Sequence, residues 1–209
     1  MIKETKGSTF RFLIFYGKQR RVFVMKERIL EGGMAVYRKK GPKFTMDDLA
    51  NELGMSKKTI YTVFRDKKSL LYDMVDYTFD AIKQSEAEVL ADTNKSTIEK
   101  LRGILGVMPE RFRDFDFTQV YEMKDKYPEC YDRIQQRLES GWETTLGLLR
   151  QGVEEGSLRP VDETVFQVMY EAAIERFIHG TEIKKKRMPY MDALNALVDI
   201  MMDGTVVRK

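Results

Sequence analysis

The sequence predicts an all-α protein with a three-helix, helix-turn-helix head at its N-terminus, joined to an all-helical body. Three observations carry this reading. Apolar residues recur at helical spacing through nearly all of the 209 residues. Only five prolines occur. Pro42, Pro109, Pro128 and Pro160 fall where periodic segments end, and Pro189 suits the first turn of a final helix. The charge is also uneven: residues 1–80 carry 17 Lys/Arg against 10 Asp/Glu, and residues 81–209 carry 19 against 23. A basic front on an acidic rear fits a nucleic-acid-binding head on a separate body.

Composition narrows the classes further. With 43% hydrophobic residues the chain can build a core. One cysteine excludes an intramolecular disulfide framework and a cysteine-rich zinc site, and one histidine argues against a His-based metal cluster. No metal and no cofactor is expected. The longest apolar run, residues 12–16, is far shorter than the ~20 residues of a membrane span. Lys18, Arg20 and Arg21 interrupt the early apolar stretch that a secretion signal would need. The expectation is a soluble protein of the reducing cytoplasm with no membrane partner.

Residues 1–24 stand apart as an extension of uncertain order. Residues 10–24 are aromatic, basic and β-prone, and three readings stay open: a hairpin turning near Gly17-Lys18, a basic arm, or no order. A self-sufficient sequence begins at Met25, which makes Met25 the expected translation start. Helix one is expected over residues 25–40, with Ile29, Leu30, Met34 and Tyr37 on one face, and Gly41-Pro42 stops it. Thr45 opens the next helix, with Asp48 three residues on in a capping-box arrangement. Met46, Leu49, Ala50 and Leu53 form its buried stripe. Gly54 suits the left-handed position after a helix. Ser56 caps a third helix that buries Ile60 and Phe64 and ends near residues 65–66, where Asp66 caps a fourth.

Two short helices joined by residues 52–56 have the layout of a helix-turn-helix. In that unit the second helix enters the major groove. A helical wheel puts Ile60, Val63 and Phe64 on one side. Lys57, Lys58, Tyr61, Thr62 and Arg65 lie on the other, offering the groups that reach phosphates and base edges. Lys57-Lys58 and Lys67-Lys68 each occupy a first helical turn. Cations there oppose the macrodipole at a cost of about 0.3–1 kcal/mol per site. An anion across both helix starts turns that penalty into attraction, and double-stranded DNA supplies such anions.

Residues 26–74 resemble the DNA-binding domain of the TetR family of bacterial transcriptional regulators. The matching elements are Gly41, residues 44–50, residues 53–56, Thr59-Ile60-Tyr61, Phe64, Lys67 and Leu70-Leu71. The resemblance implies that Thr45 fixes the first helix-turn-helix segment on a phosphate. It places Ser56, Lys57, Lys58, Thr59 and Thr62 at or near base edges and flanking phosphates. Tyr61 and Lys67 would grip the backbone. Such motifs usually carry Tyr or His at the position held here by Val63, so one phosphate contact is missing, with Lys57, Arg65 or Lys68 to compensate. The implied domains are 25–71 for DNA binding and 72–209 for effector binding and dimerisation.

The body reads as further helices: residues 66–91, 97–107, one long helix over 129–155, another from the Asp162 cap to about 182, and a tail helix over 189–203. Residues 112–126 are rich in aromatics. The resemblance implies a homodimer built on the last two helices, where Ala172, Ala173, Ala193 and Ala196 suit close approach. Candidate walls for a small apolar effector are Phe115, Phe117, Tyr121, Met123, Trp142 and Met169. Each of these equally fits plain core. His179, Cys130 and the loop Lys184-Lys185-Lys186-Arg187 read as bystanders.

No nucleophile–base set, phosphate-binding glycine loop or metal-ligand spacing occurs, so no catalytic residue is expected. The functional expectation is a DNA-binding transcriptional regulator, a repressor that binds a palindromic operator as a homodimer and is released by a small-molecule effector. The alternative is an effector-independent architectural or partner-controlled DNA-binding protein. A packed body interior favours the second and an apolar cavity the first.

Overall fold

The computed structural model describes residues 6–207, with side chains from residue 22 onward. The chain divides into two compact units, one up to Met74 and one from Val75. Among the described residues the regular structure is helical, and no helix is long and apolar enough to cross a membrane.

The head is built on α1 (Lys6–Lys40), α2 (Met46–Leu53), α3 (Lys57–Tyr61) and the start of α4 (Lys67–Ala91). Helix α1 does not begin at Met25. Residues 6–24 continue it, with no hairpin at Gly17-Lys18. The stretch holds no proline and no Asn-Gly or Asp-Gly turn pair. Once a helix exists, each added residue gains a hydrogen bond at little cost. Residues 1–5 lie outside the described part.

The head core is the one the periodicity predicts, except that Leu53, expected in the buried stripe of α2, is only half-buried. Ile29, Leu30, Met34 and Tyr37 of α1 pack with Met46, Leu49 and Ala50 of α2, and Ile60, Phe64, Leu70, Leu71 and Met74 are buried with them. Each fully buried aliphatic side chain of this kind contributes about 1.5–3 kcal/mol. Tyr37 and Phe44 meet edge to face with centroids 6.4 Å apart. Pro42 opens a 3₁₀ turn, Gly41–Lys43, that stops α1 as expected.

The body continues α4 to Ala91 and adds α5 (Thr97–Gly106), α6 (Met123–Lys126), α7 (Pro128–Leu138), α8 (Glu143–Glu154), α9 (Glu163–His179), α10 (Thr181–Lys185) and α11 (Tyr190–Asp203). Two 3₁₀ turns, Glu110–Phe112 and Phe117–Glu122, carry the aromatic-rich segment.

Three expected body boundaries change. The single helix expected over 129–155 is two, because Gly141 takes a left-handed φ of +77° that ends the run. Trp142 follows, and its indole N–H donates to the Leu138 carbonyl at 3.0 Å, closing the broken end. The helix from Asp162 stops at His179, where Gly180 is left-handed with φ +73°. Lys184 and Lys185, expected in a loop, form the last turn of α10. Near the C-terminus, Leu158 and Val206 make an isolated antiparallel bridge, with Arg159 N–H donating to Thr205 O at 2.8 Å.

Candidate nucleic-acid interface

The geometry of the recognition unit follows from its caps. The Thr45 hydroxyl accepts the Asp48 N–H at 3.1 Å, and the Asp48 carboxylate accepts the Thr45 N–H at 2.8 Å, a complete capping box. Lys40 lies 2.6 Å from the same carboxylate. Lys40 and the Thr45 donors hold the Asp48 carboxyl down at about 2. Gly54 then turns the chain at φ 60°, ψ 34°, a conformation glycine adopts without a Cβ penalty. Ser56 Oγ accepts the Thr59 N–H at 3.1 Å and starts α3. Asp66 Oδ1 accepts the Ser69 N–H at 2.7 Å, while the Asp66 N–H donates back to Ser69 Oγ. That reciprocal pair starts α4 and, with Arg65, draws the Asp66 carboxyl below its ordinary value.

Ile60 anchors α3 in the core, which leaves Ser56, Lys57, Lys58, Tyr61 and Thr62 exposed on the outer side, with Thr59 half-buried. Tyr61 keeps 47% of its surface in solvent, a large exposure for a phenol that faces no neighbour's core. Helix α3 ends at Tyr61 rather than near residue 65. Thr62 is its C-cap, and the Thr62 hydroxyl donates to Thr59 O at 2.6 Å. Arg65 therefore lies past the helix, 3.1 Å from Asp66. The first turns of α3 and α4 contain no acidic residue, so the expected conflict between lysines and macrodipole is present.

The lysines do not share one role. Lys57 pairs with Asp47 at 2.9 Å, and that carboxylate raises its pKa. Lys58 has no hydrogen bond or ion pair with the described residues and is exposed. Lys67 is engaged within the head. Its ammonium donates to the carbonyls of Pro42, at 2.6 Å, and Phe44, and sits 4.2 Å from the centre of the Phe44 ring. It ties the start of α4 to the turn before α2, where a phosphate grip was expected. The Thr45 hydroxyl is likewise engaged in its cap.

Long-range braces complete the unit, and sequence reasoning missed them. Arg28 Nη2 donates to Leu53 O at 3.1 Å, holding the end of α2. Lys39 reaches Glu52 at 2.7 Å. No local spacing signals either pair, because the partners lie 25 and 13 residues apart.

In the body, the six effector candidates fall into separate groups. Phe115 and Phe117 pack at 5.0 Å, and Phe117 meets Tyr190 at 4.7 Å. Tyr121 lies against His179. Trp142 packs edge to face on Tyr170, whose hydroxyl donates to Leu105 O at 2.7 Å. Met123 is buried, whereas Met169 is 55% exposed and lines no interior wall. Cys130 is fully buried. Among the described residues no cluster of His, Cys, Asp or Glu could hold a metal.

Comparison with known proteins bears on this geometry. Residues 29–74 match the family model for bacterial regulatory proteins of the tetR family. A Bacillus subtilis protein described as an uncharacterized HTH-type transcriptional regulator, YvaF, is 24% identical over 180 residues, covering 86% of this chain and 95% of that one. A TetR transcriptional regulator from Chloroflexus aurantiacus has a similar fold, with a TM-score of 0.66 at 19% identity over 90% of this chain and 100% of its own. So does SmeT, the repressor of the Stenotrophomonas maltophilia multidrug efflux pump SmeDEF, with a TM-score of 0.57 at 18% identity over 87% of this chain and 90% of its own. The capped helix-turn-helix of residues 29–74 thus matches the DNA-binding domain of the tetR family of bacterial regulators, and the all-helical body has the fold of solved TetR-family regulators.

Proposed function

We propose that the chain acts as a homodimeric repressor of a palindromic operator and is released by a small apolar effector bound in the body. Residues 25–71 serve as the DNA-binding unit, and residues 72–209 as the effector and dimerisation domain. The observation that carries the homodimer is an outward apolar face. Val165, Val168, Met169 and Ala172 follow one another at i, i+3, i+4 and i+7 along α9, all exposed. On α11, Ala196 is exposed and Ile200 keeps 71% of its surface in solvent. Helix α11 packs on α9. Contiguous exposed apolar surface of this kind marks a partner site, and a second copy supplies a self-complementary one. Ala193, expected at that interface, is buried within the protomer.

Two copies put two recognition helices on one duplex, which reads half-sites about one helical turn (~34 Å) apart. Occupying an operator in this way blocks other proteins from it, and SmeT, a structural neighbour, is a repressor. Release requires an effector that binds the non-operator conformation more tightly than the other.

Sedimentation together with selection from random DNA tests the proposal. The expected result is a dimer that enriches inverted repeats, with Val168→Glu giving monomers of weak affinity. A wild-type monomer selecting single half-sites overturns it. Lys58→Ala should weaken operator binding about tenfold and make the log–log salt slope shallower by about one. Unchanged binding rejects the recognition-helix assignment.

A further inference from the structure

We propose that the aromatic cage of Tyr121, Tyr131 and His179 is a binding site for small organic cations of the quaternary ammonium class, held in this structure by the protein's own Lys124. The cage assembles from three separated segments of the body. Tyr121 lies in the 3₁₀ turn Phe117–Glu122, Tyr131 in α7, and His179 at the end of α9. The Tyr121 ring lies against the imidazole with centroids 4.1 Å apart and planes at 36°. It meets Tyr131 edge to face at 6.0 Å. The Tyr131 hydroxyl is 3.5 Å from His179 Nε2, so two of the walls are joined by a polar contact. Burial, then Glu175 and Tyr121, push the Tyr131 phenol up, so its ring remains a neutral π surface at ordinary pH.

Lys124 shows what the cage prefers. Its Nζ stands 5.6 Å from the centre of Tyr121 and 5.5 Å from that of Tyr131. With the described residues this ammonium makes no ion pair or hydrogen bond, so two aromatic faces are its partners. A compact primary ammonium is strongly hydrated and gives up water to sit there. A quaternary ammonium carries the same charge on a larger, weakly hydrated surface, and aromatic cages select it for that reason. Lys124 is exposed on a flexible stem and can leave without unpacking the core. A balancing anion is already in place: the Glu175 carboxylate, 3.9 Å from His179 Nε2 and steadied by Gln135 at 3.3 Å.

The site also has a path to the connecting helix. Tyr131 shares α7 with Arg133 and Arg137, which bind Asp76 and Asp80 of α4 at 2.7–3.3 Å. This regulatory consequence rests on the effector reading above, whereas the binding site itself does not.

Calorimetry on the full chain tests it, with choline as the probe and its uncharged carbon isostere, in which tert-butyl replaces trimethylammonium, as control. Choline should bind the wild type weakly and Lys124→Ala about tenfold more tightly, since the tethered competitor is gone. The isostere should bind neither. Tyr121→Leu should abolish binding and Tyr121→Phe should keep it, which separates loss of the π face from loss of fold. No gain in Lys124→Ala, or equal binding of the isostere, overturns the proposal. Operator affinity measured in parallel reads the effector model separately: choline binding that leaves operator affinity unchanged supports the cage and removes it as the release site.

Discussion

Helix starts in the two units are closed by different means. In the head, α2, α3 and α4 each begin with a side chain that accepts a backbone N–H three residues on: Thr45, Ser56 and Asp66. In the body, Ser96 and Asp162 do this for α5 and α9, while α6, α7, α8, α10 and α11 begin without a side-chain cap. Orphan N–H groups at those starts depend on packing, prolines and water. Local chemistry fixes the head's angles, as a surface that must match a rigid duplex requires. The body's angles depend on which side chains pack where.

The largest expected effects test whether each unit has its own core. Leu49→Ala in the head and Leu149→Ala in the body each remove a fully buried side chain and should cost about 2–5 kcal/mol. Denaturant unfolding followed with a separate DNA-binding assay should show Leu49→Ala losing operator binding first. Equal loss of binding in both variants breaks the contrast.

Next comes Lys67→Met, which keeps the stem and deletes the ammonium. It should destabilise the head by about 1–3 kcal/mol, because the Pro42 and Phe44 carbonyls lose their donor. The salt slope of DNA binding should stay as it is. An unchanged thermal midpoint with a slope shallower by about one would assign Lys67 the phosphate role instead.

Smaller still, Thr45→Ala and Ser96→Ala each remove a capping box, one per unit, for about 1 kcal/mol each. If Thr45→Ala weakens DNA binding by more than its stability cost explains, the hydroxyl also meets the duplex.

The subtlest effect is in acid. Asp48 is held from 3.8 down to about 2, so its stabilising contribution is complete above about pH 4 and is lost as pH falls through about 2. The stability difference between wild type and Asp48→Asn should therefore be constant near neutrality and vanish by about pH 2. Denaturation midpoints across that range check it, and a pH-independent difference would mean that the charge of Asp48 contributes nothing.

The caps also mark what sequence could reveal. Thr45, Gly54, Ser56, Asp66 and Asp162 were readable because each acts on a backbone group three residues away or on its own φ. The head core was readable for the same reason, since helical spacing alone selects Ile29, Leu49 and Ile60. The break between α7 and α8 was hidden: Leu138, Trp142 and Leu146 keep an i, i+4, i+8 spacing straight across Gly141. The inward turn of Lys67 was hidden because its partners lie 25 and 23 residues earlier. The Lys124 cage has no sequence signature at all, since its walls come from three segments and its cation has no acidic neighbour at helical spacing. The outward Met169 shows the limit of composition, which marks a side chain as apolar without saying which way it faces.

Trp142 has a practical corollary. The chain contains a single indole, so fluorescence excited at the red edge of protein absorption comes from one point, the junction where Leu138 O receives its N–H and Tyr170 meets its edge. The head emits nothing at that wavelength. Any shift in emission colour when operator or a small molecule is added thus originates at the elbow between α7 and α8, and the unlabelled native protein is its own optical probe.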